Sequence, residues 1–350
     1  MDGATKIDIK GLESREIEEW VKSQGLEAYR ARQIHEWAFK KLASSFQDMT
    51  NIPKDLRALL EKKASLSPCE KVKIEVSKDG TQKTLFRLKD GHLIESVLIP
   101  ERGHFTICIS TQVGCAMGCR FCLTGRHGLK RNMTAGEITD QVVQVKRSME
   151  DPERLTNVVL MGMGEPLANY DAVIKALGNL ISEEGMNFSH RKVTLSTCGL
   201  VPQIQMLGER IIVNLAVSLN AADDKTRSFL MPVNRRYPLN QLISACKAFP
   251  LPNRRMITFE YILIEGINDG EDDALRLVRL LSGMRAKINL IPLNPFPGLD
   301  LFPPPKEKIQ HFQNILIENQ FTAIIRKSKG QDISAACGQL SGEAGSDLSL

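Results

Sequence analysis

The chain has 350 residues, of which 42% are hydrophobic and 25% are charged, as is usual for a globular protein. This length allows one large α/β domain, or a core domain with a small accessory domain. No stretch approaches the run of about 20 apolar residues that a membrane span needs, and residues 1–10 lack the apolar core of a signal peptide. These features argue against membrane and secreted proteins and predict a cytoplasmic location. The net charge of +5 is compatible with an RNA partner without establishing one.

Residues 1–70 are predicted to form a helical N-terminal accessory domain. Apolar residues recur there at helical spacing, at Ile17, Trp20, Val21, Ile34, Trp37 and Ala38. Pro53 precedes a further helix around residues 56–60. The basic side chains of this segment include Lys22, Arg30, Arg32, Lys40, Lys41, Arg57, Lys62 and Lys63. They form either the solvated surface of the helices or an RNA-binding module that contacts phosphates, and charge patterning alone does not decide between these interpretations.

Residues 71–100 are predicted to form a β-hairpin connection. Val72, Ile74 and Val76 alternate with polar residues, which is typical of a half-buried strand. The dipeptides Asp79-Gly80 and Asp90-Gly91 supply hairpin turns.

Residues 101–326 are predicted to form an α/β partial barrel. Strand-like runs occur at residues 105–109, 158–161, 192–196, 211–217, 258–263 and 287–291. Helical stretches, for example residues 138–146, 172–181, 239–248 and 273–281, follow them. This alternation predicts a parallel sheet with right-handed crossovers, and about six repeats are too few for a closed eight-stranded barrel. A partial (β/α)6 barrel is therefore expected, followed by a C-terminal loop and tail at residues 327–350, of which 341–350 are predicted to be disordered.

A cluster of cysteines gives the strongest chemical signal. The cysteines of the chain are Cys69, Cys108, Cys115, Cys119, Cys122, Cys198, Cys246 and Cys337. A disulfide framework is not expected in a reducing compartment, and the three thiols at 115, 119 and 122 predict a metal site. Three thiolates can bind three irons of a four-iron cluster and leave the fourth iron open. The alternative is a structural zinc site, in which His127 would supply the fourth ligand.

The C-x3-C-x2-C spacing at the opening of a partial barrel resembles the radical S-adenosylmethionine (SAM) superfamily. The resemblance spans about residues 104–300. It implies that the open iron of a [4Fe-4S] cluster takes the amino and carboxylate groups of SAM. It also implies that an electron then splits SAM into methionine and a 5′-deoxyadenosyl radical.

The same resemblance gives roles to residues at the ends of later strands. In the turn at residues 161–166, Gly164 lets a ligand approach the backbone, and Glu165 can accept hydrogen bonds from an ammonium group. The remaining candidates for binding the ribose and carboxylate of SAM are Ser196, Ser218, Asn220 and Asn294.

Cys108 and Cys337 narrow the choice of reaction. Taken alone, Cys108 is more simply interpreted as an apolar packing residue of a strand, and Cys337 as a thiol without a role. Their segments, however, closely match the RNA adenine methyltransferases of the radical SAM superfamily, and the match covers nearly the whole chain. It includes residues 94–96, 129–132, 289–295 and 335–340. That family methylates C2 of an adenine in the peptidyl-transferase centre of 23S rRNA, and commonly the adenine beside the anticodon in tRNA. A sister group methylates C8 and confers antibiotic resistance.

The resemblance also implies a mechanism with two SAM molecules per turnover. Adenine C2 has no nucleophilic lone pair, so it cannot attack the SAM methyl group directly. In the family scheme Cys337 takes the methyl group as an S-methylcysteine, and a second SAM provides the radical that activates it. Cys108 removes the C2 proton and closes a disulfide with Cys337, which must then be reduced. Glu95 is a candidate base, and an ordinary hairpin carboxylate is the alternative.

The predicted partners are 23S rRNA, tRNA and an electron donor such as flavodoxin or ferredoxin, with no membrane contact and a monomeric enzyme. Candidate phosphate contacts in the barrel are Lys130, Arg131, Arg191, Lys192, Arg235, Arg236, Arg254 and Arg255. Three alternatives stay open at this stage. They are C8 methylation, a radical activase or mutase that leaves Cys108 and Cys337 unexplained, and a zinc-binding RNA module.

Overall fold

The computed structural model of the chain describes residues 6–66 and 68–342. Its helices are α1 (Ser14–Ser23), α2 (Tyr29–Phe39), α3 (Lys54–Lys63), α4 (Leu123–Arg126), α5 (Ala135–Ser148), α6 (Tyr170–Ile181), α7 (Val201–Arg210), α8 (Asp224–Leu230), α9 (Leu239–Ala248), α10 (Glu271–Leu281) and α11 (Lys306–Glu318). The first seven strands are β1 (Ile7–Asp8), β2 (Ala64–Ser65), β3 (Cys69–Val76), β4 (Gln82–Leu88), β5 (Leu93–Glu101), β6 (His104–Cys108) and β7 (Gln112–Gly114). The others are β8 (Leu129–Asn132), β9 (Leu155–Leu160), β10 (Val193–Thr197), β11 (Asn214–Ser218), β12 (Ile257–Leu263), β13 (Ala286–Pro292) and β14 (Thr322–Ile325).

The centre of the fold is a ten-stranded mixed sheet in the order β14-β13-β12-β11-β10-β9-β6-β5-β4-β3. From β6 to β14 every neighbouring pair is parallel, as expected for strands joined by helical crossovers. The predicted α/β partial barrel is therefore confirmed. Because the strands run in parallel, their carboxyl ends meet at one edge of the sheet, where loops carry functional residues.

A seventh parallel strand, β14, was not predicted. It pairs with β13 at the edge of the sheet, and α11 precedes it in the chain. The strand has only four residues, and Thr322 and Ile324 are exposed, as suits a short strand at a sheet edge. The six predicted β/α repeats are present from β6 to α11, and β14 is an additional strand that no α-helix follows in the described residues.

The predicted hairpin connection forms three antiparallel strands, β3, β4 and β5, with turns that contain Gly80 and Gly91. Both glycines have a positive φ, 83° and 86°, which hairpin turns of this kind require. The connection does not stand apart, because β5 pairs with β6 and extends the barrel sheet.

The helical N-terminal segment, also confirmed, packs directly on the barrel. Ile17 and Ile34 belong to the same buried apolar cluster as Val142 of α5 and Leu177 of α6. In the described residues no helix is long and apolar enough to cross a membrane. Residues 343–350, most of the predicted disordered tail, lie outside the part of the chain that is described, and the proposed domain boundaries remain predictions.

A buried ion pair joins the N-terminal segment to α5. Lys10 is fully buried, and its Nζ lies 2.5 Å from Oδ1 of Asp140, which is also fully buried. Asp140 additionally accepts a hydrogen bond of 3.1 Å from the backbone N–H of Cys69. Asp8, two residues before Lys10, shares this crowded region, where burial and then the charge of Asp140 raise the pKa of Asp8 to about 6.

Asp8→Asn is expected to stabilise the protein at neutral pH. The folded state raises the Asp8 pKa from 3.8 to about 6. The carboxyl is protonated in both states below pH 4, but above pH 6 folding has to bury its charge. The stability gained by removing this charge should therefore approach about 3 kcal/mol above pH 6 and vanish below pH 4. Asn can still cap Lys10 N–H, which Asp8 Oδ1 accepts at 3.1 Å.

Urea unfolding of both proteins between pH 4 and pH 8 measures this difference. Asp140→Asn is the matched control. It should lower the free energy of unfolding, because it removes the partner of the buried Lys10 ammonium. A difference between wild type and Asp8→Asn that does not grow with pH would contradict the assignment.

Candidate functional site

An open cavity lies at the carboxyl ends of the parallel strands, with about 850 Å³ of space between its walls when the solvent at its mouth is included. Cys115, Cys119 and Cys122 contribute to its wall, together with residues that end β9, β10, β11, β12 and β13 and with Cys337 from the C-terminal segment. The fold thus gathers at one place groups that lie far apart in sequence.

The three-cysteine loop is fixed at both ends. Gly114 has a φ of 74°, and a Cβ at this position would lie 1.9 Å from the carbonyl oxygen of Gly128. The N–H of Cys115 donates to that same carbonyl at 3.0 Å. At the other end, the N–H of Leu123 donates to Gly338 O at 2.8 Å. The loop is therefore held between the β7–β8 hairpin and the C-terminal segment.

The donor set suits an iron–sulfur cluster. Burial raises the pKa of all three thiols, that of Cys115 to about 12, so they favour the protonated form until metal cations displace the protons. Among the described residues, no three or more His, Cys, Asp or Glu side chains converge as ligands of a single metal ion. His127, the proposed zinc ligand, is exposed and does not line the cavity. Three thiolates in a cavity wall to which His127 does not contribute are better suited to bind an iron–sulfur cluster than to bind a single zinc ion.

Of the residues predicted to contact SAM, Gly164, Glu165, Ser196, Ser218 and Asn220 all line the cavity. They come from the loop after β9 and from the ends of β10 and β11.

Glu165 lies buried in this wall, where burial raises the pKa of its carboxyl group. Its two oxygens accept the backbone N–H groups of Leu167 at 3.0 Å and Cys198 at 2.7 Å. These contacts fix the orientation of the carboxylate, and each oxygen keeps further acceptor capacity for a ligand.

Gly164→Ala is expected to weaken SAM binding at least about tenfold and to destabilise the fold. Gly164 has a φ of 100°, and its added Cβ would lie 2.6 Å from Cβ of Gln112. Relief of this overlap must move the loop that carries Glu165, since Gln112 also accepts the Glu165 N–H at 2.8 Å. Gly103→Ala is the matched control, because it has a φ of 84° and no heavy atom within 4 Å. Calorimetric titration with SAM should separate the two variants, and equal affinities would contradict the prediction.

Cys337 and Cys108 differ in their access to the cavity. Cys337 is exposed and lines the cavity, whereas Cys108 is buried at the end of β6, outside the lining. Both thiols are free. Burial and then the charge of Cys337 raise the pKa of Cys108 to about 12. The predicted pairing of these residues and their roles remain predictions.

Asn294 and Glu95 lie outside the cavity lining and hold the C-terminal segment. Asn294 Nδ2 donates to the carbonyl oxygen of Cys337 at 3.1 Å. The Glu95 carboxylate is 2% exposed, lies 3.1 Å from Lys83 Nζ, and accepts the N–H groups of Ser341 and Gly342 at 2.8 and 3.0 Å. These contacts suit residues that position the Cys337 segment. The predicted roles of Asn294 in SAM binding and of Glu95 as a base find no support in these contacts and stay predictions.

The predicted RNA contacts are mostly exposed, as phosphate contacts must be. Lys130, Arg191, Lys192, Arg235, Arg236 and Arg254 are exposed, and Arg255 is half-buried. Arg131 differs, because its guanidinium already pairs with Asp90 at 2.5 Å and with Glu137 at 2.8 Å.

Sequence reasoning missed Arg227, Glu260 and Arg326. Arg227 is fully buried behind the cavity, where it donates to backbone carbonyls at the ends of β10 and β11. Glu260 and Arg326 contribute to the cavity wall itself. For Glu260 a signal existed, since it is a charged residue inside an otherwise apolar buried strand. Nothing in the local sequence marks the other two.

Comparison with known proteins extends these observations across the chain. Residues 109–278 match the "Radical SAM superfamily" profile, and residues 7–66 match the "Ribosomal RNA large subunit methyltransferase N-terminal domain". The dual-specificity RNA methyltransferase RlmN of Geotalea uraniireducens is 53% identical over 96% of this chain and 97% of its own length. That of Geobacter sulfurreducens is 53% identical over 97% and 93%, respectively. The crystal structure of a radical SAM methyltransferase from Sphaerobacter thermophilus superposes with a TM-score of 0.93 at 48% identity, covering 96% of this chain and 100% of that one.

Proposed function

The chain belongs to the family of dual-specificity RNA methyltransferases of the radical SAM superfamily, and on that basis we propose that it methylates C2 of adenine in RNA. Its substrates are an adenine of the peptidyl-transferase centre in 23S rRNA and the adenine beside the anticodon in tRNA. The observation that carries the proposal is the position of Cys337 in the wall of the same cavity as Cys115, Cys119 and Cys122. A methyl-carrying thiol beside a radical-generating centre is what this reaction needs.

The first task of the chain is to bind the two cofactors. Cys115, Cys119 and Cys122 would hold three irons of a [4Fe-4S] cluster. Gly164, Glu165, Ser196, Ser218 and Asn220 line the space in which SAM binds. When bound, these cofactors supply a methyl group and a 5′-deoxyadenosyl radical.

The second task is to carry the methyl group. The Cys337 sulfur forms a bond to the methyl carbon while the sulfonium–carbon bond breaks, and the thiol proton leaves to solvent through the open cavity. Desolvation within the cavity raises the pKa of the Cys337 thiol, whereas the charge of the Arg326 guanidinium lowers it and favours the thiolate.

Cys108 would take the C2 proton from the adduct in which a methylene group joins the Cys337 sulfur to C2, once the odd electron of that adduct has returned to the cluster. The Cys108 sulfur then bonds to the Cys337 sulfur while the bond from Cys337 to the methylene carbon breaks, and that carbon takes up a proton to become the methyl group of the product. Two external electrons then restore both thiols.

Isotope labelling tests this function. The substrate is an RNA fragment that contains the peptidyl-transferase adenine, and the cofactor is SAM with a trideuterated methyl group. We expect product with a methyl at C2 that retains two deuterons, because one is lost to 5′-deoxyadenosine. The same pattern at C8 would assign the protein to the resistance group, and an intact trideuterated methyl would indicate direct transfer.

The stoichiometry is a separate part of the proposal. Two SAM molecules per turnover predict equal amounts of S-adenosylhomocysteine and 5′-deoxyadenosine for each methylated adenine. A single product from SAM, with no methylated RNA, would instead support a radical activase. An electron donor such as flavodoxin or ferredoxin, a monomeric state and a cytoplasmic location remain predictions.

A further inference from the structure

Glu260 has a carboxylate oxygen without a partner in the wall of the cavity. It lies on β12 and is 6% exposed. Oε1 accepts a hydrogen bond from Asn289 Nδ2 at 2.9 Å, whereas Oε2 is buried and has no hydrogen-bond donor. A buried carboxylate oxygen without a donor is costly, so a protein that keeps one in a ligand cavity has a use for it.

Arg326 places a hydrogen-bond donor beside this acceptor. Its side chain is 40% exposed, and its Nη1 lies 4.0 Å from Glu260 Oε1, too far for a hydrogen bond. Both residues line the cavity that Cys337 also lines. This shared lining places the pair at the same cavity as the proposed methyl carrier.

We propose that Glu260 and Arg326 together recognise the target adenine by its amidine edge, with Glu260 accepting from the N6 amine and Arg326 donating to ring nitrogen N1. A base that is turned out of its stack is commonly recognised through this edge. Adenine presents a donor next to an acceptor there, whereas guanine presents an acceptor next to a donor, so the pair selects adenine. C2 is bonded to N1, so this orientation brings the methylated carbon towards Arg326, at the cavity that Cys337 also lines.

This inference rests on the proposed function, because it names how that RNA substrate is chosen. The adenine of SAM offers the same edge, and the position of the pair at the cavity that Cys337 lines favours the RNA base. The experiment therefore has to distinguish the two adenines as well as test the contact.

Binding of fluorescein-labelled RNA fragments to the anaerobically reconstituted enzyme provides the test. The fragments carry adenosine, purine riboside (no N6 amine) or 1-deazaadenosine at the target position. For the native protein, each change is expected to weaken binding roughly tenfold or more, as for a hydrogen bond to a charged group. Glu260→Met, which has no acceptor oxygen, should lose the discrimination between adenosine and purine riboside. Arg326→Met, which has no N–H donor, should lose that between adenosine and 1-deazaadenosine.

The two variants check each other, because each should keep the discrimination that depends on the other residue. Arg326 is partly exposed, so its replacement tests the inference even where Glu260→Met unfolds. Titration with SAM is the second readout and should give unchanged affinities. The inference would be wrong if both variants distinguished the three RNAs as the native protein does, or if they lost only affinity for SAM. Either result would leave the proposed function standing. Failure of the native enzyme to bind or methylate any of the RNAs would overturn the proposed function as well.

Discussion

Replacing Cys337 by alanine is expected to reduce RNA methylation by roughly 10⁴-fold or more, the scale seen when a covalent nucleophile is removed. The methyl group then has no carrier, and adenine C2 cannot attack SAM itself. The variant should fold normally, because the Cys337 side chain is exposed to the cavity and makes no structural packing contact comparable to the buried cysteines. We therefore expect a change in unfolding free energy within about 0.5 kcal/mol.

Two further measurements decide whether Cys337→Ala loses activity because the methyl carrier is missing or because the site is disrupted. SAM affinity and the reductive formation of 5′-deoxyadenosine should persist in Cys337→Ala, since Cys115, Cys119, Cys122 and the SAM-binding loops are unchanged. Cys246→Ala is the matched control, because Cys246 is 2% exposed in α9 and does not line the cavity. It should lose stability while keeping activity, the reverse of Cys337→Ala. Methylated RNA at more than about a hundredth of the native rate in Cys337→Ala would contradict its role as methyl carrier.

The sequence predicted the elements whose signals are local. The six parallel strands from β6 to β13 carry apolar, β-branched runs, which fully buried strands require. The cluster cysteines are likewise recognisable because their spacing is itself the motif. The edge strand β14 escaped prediction because it has only four residues and no α-helix follows it in the described residues, so it does not continue the β/α alternation.

The rest of the site depends on contacts between distant segments. Glu260 and Arg326 are 66 residues apart in sequence, and only the pairing of β12, β13 and β14 brings them together. Asn294 shows the same dependence, because its place after β13 can be read from the sequence whereas its hydrogen bond to the backbone of Cys337 can be seen only in the fold. Its predicted SAM contact stays a prediction. A position near a strand end thus predicts that a residue lies near the site, and the direction of its side chain depends on its neighbours in the folded chain.

Replacing Arg227 by methionine is expected to destabilise the protein by about 3–5 kcal/mol, as for removal of one partner in a buried polar network. The guanidinium of Arg227 is fully buried. It donates to the carbonyl oxygens of Cys198 (2.7 Å), Ser218 (3.2 Å) and Leu219 (3.0 Å), and to Asn234 Oδ1 (2.9 Å). Methionine fills much of the volume but leaves these acceptors without a donor in a place that water does not reach.

The consequence should extend to the cavity, because the carbonyls that Arg227 holds belong to the loops after β10 and β11. Cys198 and Ser218 both line the cavity, so loosening their backbone should weaken SAM binding as well as folding. Arg236→Met is the matched control, since Arg236 is exposed and its replacement should change the unfolding free energy by no more than about 0.5 kcal/mol. Urea unfolding and SAM titration of both variants measure the two effects. If Arg227→Met unfolds within about 1 kcal/mol of the native protein, the network does not brace these loops.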